Sequence, residues 1–99
     1  MRTPLLAAPW PDLWLKPENL QPIGAFKIRG AVTAIARLDP AARAGGVLAH
    51  SSGNHAQAVA YAARAFGTHA HIVIPDNAPE RKIQATRDLG ATVELVPLE

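Results

Sequence analysis

From Ile28 onward apolar residues recur at helical intervals. Ile28, Val32, Ile35 and Leu38 share a face with Ala31, and the run stops at Asp39-Pro40. This spacing predicts an amphipathic helix with an abrupt end. The preceding segment has no such period. Five prolines, Pro4, Pro9, Pro11, Pro17 and Pro22, predict extended segments and turns, with room for one short strand around Leu13 to Lys16. Beyond the first helix, the apolar run Val47 to Ala49 passes through a small polar turn into an alanine-rich helix closed by Gly67. "HAHIVIP" predicts a second buried strand. Asn77-Ala78-Pro79 opens a helix with proline in its first turn, Gly90 caps it, and "TVELVP" predicts a third strand.

Strands that are nearly all apolar, alternating with helices, indicate a parallel sheet with helices on its faces. The fold class is therefore α/β. The organisation expected is a single partial domain over residues 1–99. Its first part, 1–45, carries the Ile28 helix, and its second, 46–99, carries the strand–helix repeats. No helix is expected after the third strand, so the sheet offers an open edge at which a second copy could pair as a homo-oligomer.

Composition narrows the function classes. The 99 residues are 48% hydrophobic and 18% charged, an ordinary balance for a folded chain. Ten basic residues against eight acidic ones give a net charge of +2, and the basic residues are dispersed. Nothing therefore points to a nucleic-acid partner. With no cysteine, disulfides and thiolate metal sites are excluded. The start of the chain lacks the apolar core of a signal peptide, and no apolar run reaches the length of a membrane span. A cytoplasmic location without a membrane partner is the expectation.

Two stretches carry candidate chemistry. "SSGNH", Ser51 to His55, lies between an expected strand and an expected helix, at the carboxyl edge where open parallel sheets collect ligands. Backbone N–H groups at the helix start, the Ser51 and Ser52 hydroxyls and the Asn54 amide could receive a carboxylate or phosphate, and Gly53 permits close approach. On local sequence alone a helix cap is the favoured reading of these residues. His50 and His55 flank the loop, and His69 and His71 share a strand face. Neither pair has a nearby third ligand, so no metal site is expected.

The second stretch, "GAFKIRGAV", places Lys27 and Arg29 where a helix starts, against the macrodipole. A simple reading has both side chains extending into water. The alternative is chemical. Positive potential from the helix start and from Arg29, with desolvation by Phe26 and Ile28, would favour a neutral amine at Lys27 able to attack a carbonyl.

"LKPENLQPIGAFKIRGA", "SSGNHAQAVAYAARAFG" and "IPDNAPERKIQATRDLGATVELV" together resemble the pyridoxal-phosphate enzymes of fold type II, which are tryptophan synthase β-like, in the threonine/serine dehydratase and serine racemase branch. The resemblance implies pyridoxal 5'-phosphate as cofactor and an amino acid as the small-molecule substrate. It matches Lys27 to the lysine that bonds to the cofactor and later takes the substrate α-proton. Asn54 matches the asparagine facing the cofactor's phenolic oxygen, and Phe26 an aromatic packing beside the cofactor. Ser51, Ser52, Gly53, Asn54 and His55 match the loop that receives the substrate carboxylate. Ser52 further resembles the serine with which racemases protonate the opposite face. The implied reaction is dehydration and deamination of L-threonine or L-serine to a 2-oxo acid and ammonia, with racemisation as one alternative and a non-catalytic anion-binding or self-associating α/β fragment as the other. The resemblance covers the N-terminal portion of such an enzyme. The glycine-rich loop that holds the cofactor phosphate has no counterpart in these residues, so the isolated chain is expected to be inactive alone.

Overall fold

The computed structural model describes residues 1–51 and 53–97. The proline-rich start forms a small antiparallel pair, β1 (Leu6–Ala7) with β2 (Trp14–Leu15), in the register Leu6 to Leu15 and Ala7 to Trp14. Two short 3-10 turns, Glu18–Leu20 and Pro22–Gly24, lead into α1 (Lys27–Ala36). That helix ends at Ala36, short of the expected stop at Asp39-Pro40, which leaves Leu38 beyond it and instead opens a five-residue helix, α2 (Pro40–Ala44). Proline is accepted there because the first helical N–H has no intrahelical partner.

The remainder is β3 (Val47–His50), α3 (Asn54–Ala65), β4 (Ala70–Pro75), α4 (Glu80–Asp88) and β5 (Thr92–Val96). The three strands form a parallel sheet in the order β3-β4-β5, with Val47 beside Ala70 and His71 beside Thr92. The α/β expectation holds. Gly90 has φ +93, the left-handed conformation that glycine adopts freely after a helix end, and its N–H donates to the Arg87 carbonyl at 2.9 Å.

α3 occupies the centre. Ala56, Ala58, Ala60, Ala62 and Ala63 are almost fully buried around its circumference. A helix buried on several sides needs small residues so that its neighbours can close on it. Here α1 packs against it on one side, and β3, β4 and α4 on others. Ala31 and Ile35 of α1, Ile72 and Ile74 of β4 and Ile83 of α4 complete the core. Burial alternates along β4: Ala70, Ile72 and Ile74 are buried, whereas His71 and Val73 are half-buried. The near-continuous apolar strand therefore has one fully covered face. On edge strand β3, Leu48 is 74% exposed.

Candidate active site

Arg29, the third residue of α1, is not a free cation. Its Nε donates to Glu18 Oε1, and its Nη2 lies 3.1 Å from Glu18 Oε2. The buried Thr3 hydroxyl donates to the same carboxylate at 2.7 Å, and Gln21 Nε2 approaches it at 3.3 Å. Lys16 Nζ donates to the Thr3 carbonyl. The Glu18 carboxylate thus ties the chain start and a 3-10 turn to α1. Between Glu18 and Lys27, Ile23 takes φ 65, a strained conformation for a β-branched residue, while packing against the core. The start of α1 is held from both sides.

The Arg29 guanidinium, followed by the Thr3 hydroxyl, holds the Glu18 carboxyl down at about 2, against an ordinary 4.5. A depressed carboxyl contributes stability above its unfolded value and loses it as pH falls through the folded one. The contribution should therefore be complete above pH 4.5 and vanish towards pH 2. Urea midpoints of the wild type and E18Q should differ most at pH 6 and converge near pH 2. A gap that stays constant with pH would overturn this assignment.

Lys27 is the first residue of α1 and is exposed. Ile28 is 2% exposed and belongs to the core, whereas Phe26 is 62% exposed. The surroundings expected to desolvate the amine are therefore corrected: Ile28 turns inward, Phe26 lies open, and the charge of Arg29 is taken up by Glu18. One helical turn after Lys27, Gly30 and Ala31 line an apolar groove shared with Ala49 of β3 and with His55 and Val59 of α3. This groove lies between α1, β3 and α3, and its lining includes neither Lys27 nor Ser51, Gly53 or Asn54.

Ser51 extends the β3 ladder, its N–H donating to the Val73 carbonyl at 3.0 Å. Its Oγ accepts the Gly53 N–H at 3.3 Å, so the Ser51 hydroxyl closes the turn. Ser52 lies outside the described residues. Gly53 precedes α3 without a side-chain cap, and Asn54, expected within the loop, is the exposed first helical residue. His50 is exposed at the end of β3. His69 and His71 face β5: His69 Nε2 is 2.7 Å from Thr92 Oγ1, and His71 Nε2 is 3.0 Å from Glu94 Oε2.

A further cation meets this loop. A Cβ added to Gly53 would lie 3.1 Å from Lys82 Nζ, so the end of the Lys82 side chain crosses the glycine backbone. Neither Lys82 nor Glu18 was legible as a site residue. Glu18 is 11 residues from Arg29, and Lys82 is on another helix from Gly53, so no local spacing connects either pair.

A family model described as pyridoxal-phosphate dependent enzyme matches residues 1–99. The chain is 56% identical over 84 residues to L-threonine ammonia-lyase of Thermotoga maritima, which covers 85% of this chain and 21% of that protein. It is 54% identical over 82 residues to L-threo-3-hydroxyaspartate ammonia-lyase of a Pseudomonas species, covering 83% and 26%. Its structure superposes on maize serine racemase with a TM-score of 0.93 at 43% identity, over 100% of this chain and 32% of that one. The chain spans about a quarter of the length of these two curated relatives.

Proposed function

The chain belongs to the pyridoxal-phosphate-dependent enzyme family, and on that premise we propose that it carries the attachment lysine and the carboxylate loop of an enzyme converting L-threonine or L-serine to a 2-oxo acid and ammonia. Turnover is assigned to these residues joined to the remainder of such an enzyme. The groups present fit the cofactor chemically. Lys27 offers an exposed primary amine that can bond to an aldehyde, and Asn54 offers an amide that can donate to a phenolic oxygen. Bound there, the cofactor supplies an electron sink for the substrate α-carbon.

The chain's own residues do the rest. Lys27 would hold the cofactor through its amine and would serve as the base for the substrate α-proton. The Ser51 to His55 loop receives the substrate carboxylate at the start of α3, where backbone dipoles favour an anion. Phe26, exposed just before α1, would pack beside the cofactor ring. The Glu18–Arg29 pair leaves Lys27 as the unpaired cation of the α1 start among the described residues and holds that start in place.

The observation carrying this reading is the exposed Lys27 amine at the first position of α1, in a chain that the family model matches over its whole length. Purified chain mixed with pyridoxal phosphate and reduced with borohydride should carry its adduct on Lys27, as read by peptide mass, and K27A should abolish that peptide's adduct. Equal labelling of Lys16, Lys27 and Lys82 would overturn the assignment. Racemisation is a second reading, supported by Ser52 and by the likeness to maize serine racemase. D-serine exceeding 2-oxo acid as product would establish that order instead.

A further inference from the structure

Between Pro4 and Lys16 every residue except Ala8 is exposed. In the β1–β2 pair Leu6 lies beside Leu15 and Ala7 beside Trp14, and the Ala8 N–H donates to the Leu13 carbonyl at 2.9 Å. Side chains alternate across such a ladder, so Leu6, Leu13 and Leu15 share one face and Trp14 lies on the other. All four are exposed, Trp14 by 61%, and Trp10 in the connecting loop by 65%. A two-stranded pair is marginal in water and needs further strands or a packing partner. Backbone groups alternate as well. The Leu13 carbonyl points at β1, so the Trp14 N–H and carbonyl point out along the free edge of β2.

The sequence along this edge is its own complement. Leu13 and Leu15 flank Trp14, and Asp12 and Lys16 flank the leucines. A second copy running antiparallel about Trp14 exchanges N–H to carbonyl bonds between the two Trp14 residues. It also sets Leu13 against the other copy's Leu15, and Asp12 against its Lys16, at both ends. Among the described residues neither Asp12 nor Lys16 has an ion-pair partner. Lys16 donates to the neutral Thr3 carbonyl, which leaves its charge unmatched. Pro11 and Pro17 bracket the segment and keep the pairing short. The surface also has area to spare. The chain exposes 6472 Å², about 1,000 Å² more than size scaling gives a compact monomer of this mass, and a standard interface takes about 800 Å² from each partner.

We propose that β2 is an interface with a second copy of this chain: two copies join antiparallel along its free edge into a four-stranded sheet, with Trp14 on the two-fold axis. Self-association is thereby placed on the N-terminal strand pair and not on the open edge of the three-stranded sheet.

Sedimentation velocity of the 99-residue chain should show monomer at ~1 μM and dimer at ~100 μM, the weak range of a short exposed interface. W14E sets two carboxylates on the axis and should leave the chain monomeric at both concentrations. D12K brings like charges together at both ends and should raise the dissociation constant at least about tenfold. D12K/K16D restores opposite signs and should return it to within about threefold of wild type. L48D, on exposed edge strand β3, should leave the dimer unchanged. All of these positions are exposed, and thermal unfolding of the dilute chains checks that the variants fold. Asp12 takes φ 58, which asparagine also tolerates. Should D12K not fold, D12N and W14E therefore decide, and a D12N dimer as strong as wild type overturns the proposal. A wild type that is monomeric at ~100 μM overturns it. If that monomer binds the separately made C-terminal remainder of the Thermotoga maritima L-threonine ammonia-lyase, the strand pair is a seat for that remainder instead. A D12K/K16D dimer no stronger than D12K overturns the proposal, as does a dimer lost in L48D and kept in W14E, which moves the interface to the three-stranded sheet.

Discussion

K27A is expected to lower 2-oxo acid release from L-threonine by at least ~10³-fold when residues 1–99 replace the matching N-terminal part of the Thermotoga maritima L-threonine ammonia-lyase. The size follows from two losses at one atom. Covalent attachment through the amine disappears, and so does the base for the α-proton, which alone contributes roughly 10²–10⁴-fold. Folding should not account for the change. Lys27 is exposed at the first position of α1, it makes none of the side-chain bonds that hold that start, and alanine has the higher helix propensity. K27R keeps the charge but has no amine able to bond an aldehyde at neutral pH, so it should fail as completely. Added ethylamine should restore part of the K27A rate and none of the rate of a misfolded chain. Retention of more than a tenth of the rate in K27A would remove Lys27 from the chemistry.

The residues legible in the sequence were those whose placement depends on near neighbours. The 3.6-residue spacing from Ile28 fixed the buried face of α1, and Gly90 marked the end of α4 through a backbone conformation that few other residues adopt. β1 was not legible, because two residues among prolines carry no period and pair only through β2. α2 was hidden because Asp39-Pro40 reads as a helix stop, whereas α1 has already ended at Ala36 and the same residues open the next helix.

The site was legible in its motifs and not in its electrostatics. Arg29 was expected to act on Lys27, yet it binds Glu18 through a 3-10 turn that no local periodicity announces. Ile28 was expected beside the amine, although its place in the Ile28, Val32, Ile35 series already put it on the opposite, buried face. The contact of Lys82 with Gly53 joins two helices separated by a strand, and only the packed fold brings them together.

That packed fold depends most on β4. Ile72, on the central strand, is 0% exposed and packs in the same core as the alanines of α3 and Ile83 of α4. I72A removes three carbons from a site walled by a helix whose own side chains are already minimal. The alanines cannot extend to fill the space, so a cavity remains and the cost should fall within about 2–5 kcal/mol. For a domain whose total stability is on the order of 5–15 kcal/mol, that is a large share. Its thermal midpoint should fall by roughly 10–30 °C, on a scale of about 4–8 °C per kcal/mol for domains of this size. I72V, one methylene smaller than the wild type, should cost about 0.5–1.5 kcal/mol. L48A removes a similar volume from edge strand β3, but there the side chain is 74% exposed, and the change should stay within ~0.5 kcal/mol. Paired urea and thermal unfolding of the three variants measures the contrast. I72A and L48A of equal stability would mean that β4 does not pack on α3 as described, and the route by which Lys82 and the Ser51 to His55 loop meet would fall with it.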